Sequence, residues 1–418
     1  MWYNNLMKIA LLGYGKEGQA AEKYFKNKYQ DATFDIFENL TPAEFAARDY
    51  SDYDMVLRSP SIPPFSNDPK FTSLTRYFFD HCPCPIIGVT ATKGKGTTCS
   101  FIKSLLDAGG YDAYLVGNIG TPAIEVLDSL TPDSVVVYEM SSFQLWDLTK
   151  SPHIAVIGHL EPDHLNVHNG MDDYLTAKSH ICTYQTQEDF VIYYAKNSDS
   201  ARLAEKSPAH RIPYPFEVPA DIVSSITLPG AHNQENAIAA IAAVASFKNL
   251  TPNEYLSDFT TEIKAGLSNF HGLPHRLEFI CQIKNTRYYD DNFSTNLAST
   301  RVAINAFPDD NVIAIIGGRD KTNNADLPEI YETISAKNVK KVILLGESGH
   351  ALAKLYPDDS RFILTESLKE AVNTAAKAAA SYDSAIVLMS PSAASFDMFK
   401  NVYDRGDQYQ ALVNQLEI

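Results

Sequence analysis

The segment Gly-Val-Thr-Ala-Thr-Lys-Gly-Lys-Gly-Thr-Thr at residues 88–98 constrains the fold more than any other part of the chain. An apolar run at residues 85–89 predicts a buried strand, and residues 97–109 predict a helix after a turn around Lys95. A strand, a glycine-containing loop, a lysine and a helix N-terminus form a phosphate cradle, because backbone N–H groups and the helix dipole face the anion. The segment therefore predicts a nucleoside triphosphate and phosphoryl transfer.

The match to the general phosphate-loop pattern is incomplete. The pattern G-x-x-x-x-G-K-[ST] expects glycine at position 89 and a hydroxyl at position 96, where the chain has Val89 and Gly96. Thr97 or Thr98 would then have to supply the hydroxyl that faces magnesium. An ordinary glycine-rich turn between a strand and a helix is the alternative interpretation.

Composition limits the class of protein. The chain has 418 residues, so two to three domains are expected, and its formal net charge is −16. No run of Lys or Arg stands out, which argues against nucleic acid and anionic membranes as partners. Five scattered cysteines and the lack of a signal or long apolar segment predict free thiols in a cytoplasmic protein.

Strand and helix patterns alternate along nearly the whole chain, which predicts an α/β protein with parallel sheets. Three blocks can be distinguished, and we place their boundaries at residues 1–84, 85–273 and 274–418. The third block opens with a predicted hairpin, and an Ala-rich helix is predicted at residues 236–246. We expect a monomer.

The first block contains a motif that points to a different class of enzyme. Gly13-x-Gly15-x-x-Gly18 follows a predicted strand at residues 8–12, and Glu38 lies twenty residues beyond Gly18. This arrangement fits a dinucleotide fingerprint with an acidic ribose ligand, so an NAD-linked oxidoreductase is a rival prediction. The same turn can hold any nucleotide diphosphate, since it offers only backbone amides and a dipole.

Polar residues follow two further predicted strands, at the edge where open parallel sheets place ligands. Glu139 closes the strand at residues 135–138 and could hold Mg²⁺, or could cap a helix instead. The strand at residues 154–157 is followed by five ionisable residues, His159, Glu161, Asp163, His164 and His168. Lys178 comes next on a predicted helix, where position alone predicts a surface lysine.

Together these positions resemble the Mur ligase family. The shared motifs, in chain order, are residues 88–98, Asn118-Ile119-Gly120, residues 139–145 (Glu-Met-Ser-Ser-Phe-Gln-Leu), Asp163-His164, Ala177-Lys178, His232-Asn233-x-x-Asn236-Ala237 and His275-Arg276. The run Ser390-Pro391 to Arg405-Gly406 is similar to the branch of the family that adds D-glutamate. The resemblance covers residues 8–418.

The resemblance implies three domains: a Rossmann-like N-terminal domain that binds UDP, a central P-loop ATPase-type domain, and a Rossmann-like C-terminal domain that binds the amino acid. It implies that ATP phosphorylates the carboxylate of UDP-N-acetylmuramoyl-L-alanine, and that the amine of D-glutamate attacks the acyl phosphate. Phosphorylation activates the carboxylate for attack, because phosphate is a better leaving group than oxide. Two Mg²⁺ ions would offset the repulsion between anionic substrates.

The resemblance also assigns residues. The catalytic positions of the family match Lys95, Glu139, His164 and Lys178. Its metal-site positions match Thr97, Glu139, His164 and Lys178, and the resemblance implies that Lys178 is carbamylated. ATP contacts match Thr92, Lys93, Gly94, Lys95, Gly96, Thr97, Thr98, Asn233, Asn236, Arg276 and Asp291. Contacts to the UDP substrate match Gly13, Gly15, Lys16, Glu17, Glu38, Ser59, Asn118, Ser141 and Gln144. Contacts to the amino acid match Thr295, Lys321 and Ser395.

The chain departs from the family pattern at five positions, which are Ser61, Ala91, Gly96, Phe293 and Val402. Phe293 stands where several members have lysine, and Val402 where several have an aromatic residue near the amino acid. A relative that uses another amino acid, such as L-glutamate, or another acceptor is therefore an alternative. A nucleotide-binding protein without catalysis is another.

Overall fold

The computed structural model describes residues 7–416 and contains three sheets. The first sheet is parallel and has the strand order β2-β1-β3-β4. Its strands are β1 (Lys8–Leu12), β2 (Thr33–Phe37), β3 (Met55–Arg58) and β4 (Phe71–Ser73). Its helices are α1 (Lys16–Lys28), α2 (Pro42–Ala46) and α3 (Leu74–His81). The predicted strand at residues 8–12 is confirmed.

The second sheet is also parallel, in the order β10-β9-β8-β5-β7-β6. Its strands are β5 (Ile86–Thr90), β6 (Ala113–Gly117), β7 (Val135–Glu139), β8 (Ile154–Ile157), β9 (Phe190–Tyr194) and β10 (His210–Tyr214). The accompanying helices are α4 (Lys95–Ala108), α5 (Ala123–Val126), α6 (Ser142–Leu145), α7 (Met171–Ser179), α8 (Ser198–Ala204), α9 (Ala220–Val223), α10 (Ala231–Phe247), α11 (Pro252–Asp258) and α12 (Thr260–Asn269). The central strands β5, β7 and β8 are buried throughout, as expected when helices cover both faces.

The third sheet has the order β11-β12-β16-β13-β14-β15, with β11 and β12 forming the predicted antiparallel hairpin. Its strands are β11 (Glu278–Ile283), β12 (Thr286–Asp290), β13 (Val312–Ile316), β14 (Val339–Leu344), β15 (Phe362–Leu364) and β16 (Ala385–Met389). Its helices are α13 (Leu297–Asn305), α14 (Leu327–Ile334), α15 (Gly346–Leu355), α16 (Leu368–Ala379) and α17 (Val402–Asn414).

Residue contacts divide the chain into two compact units. The first unit holds residues 1–225 with 235–270, and the second holds residues 226–234 with 271–418. The first two sheets thus share a unit, while the third sheet lies in the other. The finer division at residues 84/85 and 273/274 stays a prediction.

Two helices begin earlier than predicted, by two and by five residues. The helix after the phosphate loop begins at Lys95 rather than at residue 97, because Gly94 already makes the turn with φ +83°. The Ala-rich helix begins at Ala231 rather than at residue 236. Within residues 7–416, every helix is too short or too polar to traverse a bilayer.

Candidate active site

The phosphate loop lies between β5 and α4, at the carboxyl edge of the second sheet. Gly94 has a left-handed backbone, which favours glycine, and a Cβ there would lie 2.7 Å from Asn236 Oδ1, so a side chain would also displace the Asn236 amide. The Thr98 hydroxyl is buried and donates to the same Asn236 oxygen at 3.3 Å. Of the two threonines considered for the magnesium side, Thr97 is therefore the more available.

Lys95 and Lys93 point to different partners in the loop. Lys95 Nζ donates to the carbonyl oxygens of Ala91 at 2.9 Å and Thr92 at 3.0 Å. Lys93 instead forms an ion pair with Glu161 at 2.6 Å and is half exposed. Lys95 is thus held over the loop, where a bound phosphate would compete with these carbonyl oxygens for its ammonium group.

The end of the neighbouring strand β7 places an acidic residue beside the phosphate loop. Glu139 ends β7, is 5 % exposed, and pairs in register with Gly117 of β6 and Val89 of β5. Asn118 donates its side-chain amide to Glu139 Oε1 at 3.1 Å. The carboxylate and amide therefore lie at the same sheet edge as the phosphate loop, where their oxygens suit Mg²⁺.

Lys178 is not the surface lysine that its position alone predicts. The side chain is 1 % exposed, and Nζ donates to Thr90 Oγ1 at 3.0 Å and Ala91 O at 2.9 Å. Burial, with the Lys95 ammonium as a second cause, holds the pKa of Lys178 far below its usual range. A neutral amine is therefore favoured at the start of the phosphate loop.

The five ionisable residues after β8 do not converge on one point. His159 lies 3.7 Å from Glu161, whose other partner is Lys93, while His164 pairs with Asp163 at 3.4 Å and is half exposed. His168 points inwards, and burial lowers its pKa. Sequence reasoning gave His168 no role, and a single histidine carries no signal that would reveal its partners.

The glycine turn of the first sheet is built as its motif requires. Gly13 has φ +82°, and a Cβ there would lie 2.9 Å from Ser59 Cβ, so the turn and the loop at Ser59 are in contact. A Cβ at Gly18 would lie 2.5 Å from Gly13 O. Gly15, Lys16 and Glu38 are exposed. The structure thus brings together Gly13 and Ser59, with Glu38 on the surface after β2.

Both polar atoms of the Gln144 side-chain amide form hydrogen bonds within the protein. Its Oε1 accepts from the Ser141 backbone N–H at 2.9 Å in a capping box, and its Nε2 donates to Glu17 Oε1 at 3.0 Å. Burial raises the pKa of Glu17, and its second carboxylate oxygen has no partner within the described part of the chain. Gln144, Ser141 and Glu17, all predicted at the UDP substrate, are therefore linked to one another.

A buried arginine joins the first sheet to α6 and the residues after it. Arg58 is 6 % exposed, and its guanidinium contacts both carboxylate oxygens of Asp147 at 3.0 and 2.5 Å. It also donates to the carbonyl of Phe143 at 3.4 Å. Sequence reasoning missed this pair, because its members are 89 residues apart and neither belongs to a motif.

In the second unit, the residues after β12 form a compact turn. Asp291 is buried, and its carboxylate accepts from the Ser294 and Ser390 hydroxyls at 2.5 and 2.7 Å and from the Leu277 N–H at 3.1 Å. Burial raises the pKa of Asp291 to about 7. The side chain predicted to contact ATP thus has three donors of its own.

Arg276 and Phe293 form a pair on this turn. The exposed Arg276 guanidinium lies 4.8 Å from the centre of the Phe293 ring, a cation–π contact. The Tyr403 ring meets the Phe293 ring edge-on, with centroids 5.1 Å apart. Where the family pattern predicts lysine, this chain therefore has an aromatic surface that supports a neighbouring cation.

The Arg405-Gly406 motif has a structural purpose. Arg405 is 1 % exposed and donates to Asn292 Oδ1 at 2.7 Å, to Asn292 O at 3.0 Å and to Ala393 O at 3.2 Å. A Cβ on Gly406 would lie 2.2 Å from His275 Nδ1, so a side chain there would displace the histidine. The motif thus joins the turn at Asn292 to the loop that carries Ser395.

The predicted amino-acid residues are partly brought together. Lys321 Nζ donates to Thr295 O at 3.2 Å, and Ser395 is buried in the loop held by Arg405. Asn233, predicted near adenine, is buried and donates to Pro229 O at 2.7 Å. Its neighbour Asn236 lies beside Gly94 of the phosphate loop instead.

One group of acids and histidine could be mistaken for a metal site. Within residues 7–416, His275, Glu278 and Asp290 are the one such group whose ligand atoms lie within 4.8 Å of one another. Gln410 Nε2 donates to Glu278 Oε2 at 2.8 Å and to Asp290 Oδ2 at 3.0 Å. An amide donor thus occupies the position a cation would need, and we assign no metal there.

Comparisons with known proteins agree with this geometry. Residues 89–244 match the family described as Mur ligase middle domain, and residues 275–392 match Mur ligase, glutamate ligase domain. The UDP-N-acetylmuramoylalanine–D-glutamate ligase of Acetivibrio thermocellus is 32% identical, covering 83% of this chain and 78% of that protein. The enzyme of the same name from Streptococcus pyogenes serotype M49 is 32% identical, covering 97% and 96%.

A solved structure shares the fold at low identity. The MurF ligase from Thermotoga maritima, in complex with ADP, superposes with a TM-score of 0.60 at 12% identity, covering 99% of this chain and 97% of that chain. The fold expected from the sequence, a multi-domain α/β protein with parallel sheets, is therefore confirmed.

Proposed function

The chain belongs to the Mur ligase family, and we propose that it is the ATP-dependent ligase that adds D-glutamate to UDP-N-acetylmuramoyl-L-alanine in peptidoglycan precursor synthesis. The relatives named for this reaction match over most of their own length as well as most of this chain. They are amide-forming ligases, so the oxidoreductase alternative is set aside.

The observation that carries the proposal is the burial of Lys178 at the start of the phosphate loop. Its amine lies 2.9 Å from Ala91 O, and Lys95 Nζ contacts the same carbonyl at 2.9 Å. Carbamylation needs a neutral amine, which burial favours here, and the carbamate would add a negative charge at the start of the phosphate loop. An ordinary nucleotide loop has no need of a buried lysine at this point.

The donor set suits magnesium. The Glu139 carboxylate, the Thr97 hydroxyl and a carbamate on Lys178 would supply hard oxygen ligands, with His164 and Asn118 beside them. Two bound Mg²⁺ ions would offset charge between ATP and the substrate carboxylate. Lys95 would leave its two carbonyl partners to contact the terminal phosphates, as a charge that stabilises phosphoryl transfer.

The chain's own residues divide the remaining work between the two units. The first unit would bind the UDP substrate at Gly13, Gly15, Lys16, Glu17, Glu38, Ser59, Ser141 and Gln144. The second unit would place Arg276 and Asn233 at ATP and Thr295, Lys321 and Ser395 at D-glutamate. Because the predicted nucleotide and amino-acid residues lie on different blocks of the sequence, the proposed mechanism should need closure of residues 274–418 over residues 85–273 during turnover.

Phosphate release tests the proposal directly. We would incubate the protein with ATP, Mg²⁺ and UDP-N-acetylmuramoyl-L-alanine, adding D-glutamate, L-glutamate or no amino acid. Release that depends on D-glutamate is expected. Release with L-glutamate alone would reassign the amino acid, whereas no release with either would overturn the proposed reaction.

A further inference from the structure

His168 is a buried group to which neither the sequence motifs nor the proposed chemistry assigns a role. We propose that His168 is a positioning residue that holds the turn at residues 164–168, and therefore His164, in the orientation needed for metal binding. The inference rests on the proposed function, since it takes His164 as a residue of the magnesium side.

Both ring nitrogens of His168 are engaged. Nε2 lies 2.9 Å from Ser142 Oγ, and Nδ1 lies 3.2 Å from Asp173 Oδ2, with the side chain fully buried. The order serine–histidine–aspartate is that of a nucleophilic triad, but Ser142 is 2 % exposed, so substrate cannot reach its hydroxyl. The hydrogen-bonded chain therefore serves to hold structure.

The same residue closes the turn that presents His164. The backbone N–H groups of Val167 and His168 both donate to His164 O at 3.0 Å. His164 has φ +53°, a left-handed conformation that is uncommon for a non-glycine residue. Fixing His168 thus fixes the backbone that carries the exposed His164 ring.

An aromatic platform supports both rings. The His168 ring lies parallel to Phe143, 5.3 Å between centroids, and the His164 ring packs on the same phenyl group at 5.0 Å. Trp146 adds a contact to His168 at 4.6 Å. The His164 ring is therefore positioned against α6, the helix formed by the Ser-Ser-Phe-Gln motif.

His168 also connects two elements that carry site residues. Ser142 begins α6, which contacts Glu17 through Gln144, and Asp173 lies in the first turn of α7, which carries Lys178. One imidazole thus sets the spacing between the two helices and His164. Loss of a residue that orients a metal ligand without itself touching the metal typically lowers metal affinity by about tenfold to hundredfold.

The test compares His168→Phe with a matched control. Phenylalanine keeps a ring against Phe143 but removes both side-chain hydrogen bonds. The control is His153→Phe, because His153 also pairs with an aspartate, Asp189, at 2.7 Å and packs on a ring, that of Phe190 at the start of β9. Ser142→Ala removes only the hydroxyl group that contacts His168. It serves as the test variant if His168→Phe does not fold.

Two readouts are needed. The first is Mn²⁺ binding in the presence of a non-hydrolysable ATP analogue, followed by the electron paramagnetic resonance signal of free Mn²⁺. The second is the Mg²⁺ concentration at half-maximal phosphate release. We expect His168→Phe to weaken both by about tenfold or more. Ser142→Ala should weaken Mn²⁺ binding severalfold, and His153→Phe should change neither readout.

The outcomes separate the inference from the proposed function. If the wild-type protein binds Mn²⁺ but releases no phosphate in response to D-glutamate, the proposed function is overturned. The comparison of Mn²⁺ binding between wild type and His168→Phe then still tests the inference about His168. Unchanged Mn²⁺ binding in folded His168→Phe, or in Ser142→Ala where that variant alone folds, would overturn the inference and make His168 an ordinary core histidine. A loss of thermal stability with normal metal binding would lead to the same conclusion.

Discussion

Replacing Arg405 by methionine should destabilise the second unit strongly. Within the part of the chain that the structure describes, Asn292 O, Asn292 Oδ1 and Ala393 O accept hydrogen bonds from the Arg405 guanidinium and from no other group. Methionine fills similar volume but donates nothing, so three buried acceptors would lose their partner. At about 1–1.5 kcal/mol each, the cost is about 3–5 kcal/mol.

The measurement must report on the second unit. Trp146 lies in the first unit and no tryptophan falls within residues 271–418, so the Trp146 fluorescence reports on the first unit, whereas circular dichroism reports on helices of both. A loss of about 3–5 kcal/mol in a unit of this size lowers its Tm by about 6–20 °C. The shift should be seen by circular dichroism and not by tryptophan fluorescence.

A matched substitution in the same unit provides the control. Arg287 forms one ion pair, with Asp310 at 2.5 Å, and its side chain is 35 % exposed. Arg287→Met should therefore cost at most about 1 kcal/mol. The reasoning is refuted if Arg405→Met lowers Tm no more than Arg287→Met does. Arg405→Met should also raise KM for D-glutamate, because the loop with Ser395 loses its anchor.

Three further predictions concern single side chains. Lys95→Ala should lower kcat by about 10²–10³ without changing Tm, because it removes charge stabilisation rather than packing; near-normal phosphate release would contradict the role of the loop. Lys178→Ala should lose most turnover, and short-chain carboxylic acids should partly restore it by replacing the carbamate; full activity without added acid would show that no carbamate is needed. Burial raises the pKa of Asp291 to about 7, against about 4 in an unfolded chain, so this carboxyl group binds a proton on folding between these values and its contribution to stability falls as pH rises through that window. Between pH 4 and pH 7, the Tm of wild type relative to that of Asp291→Asn should therefore fall as pH rises, as measured by circular dichroism, and a constant difference would argue against it.

The sequence by itself determined the parts of the protein that depend on neighbours along the chain. The turn at Gly94, the glycines at 13 and 18 and the central strands follow from local patterns of glycine and apolar residues, which act over fewer than ten positions. The position of Glu139 at a strand end was predictable for the same reason, because parallel strands bring their carboxyl ends to one edge.

Only the tertiary structure decided which side chains are buried and what they contact. Lys178 looks like a surface lysine on a polar helix, yet it lies against Thr90, 88 residues earlier. Arg405 bonds to Asn292 across 113 residues, and His168 meets Ser142 across 26. Such contacts depend on how helices pack on sheets, and a periodic pattern along the chain carries no information about a specific partner far away. The same burial that hides these residues from sequence reasoning sets their hydrogen bonds and the pKa of Lys178, which are the properties that the proposed chemistry needs.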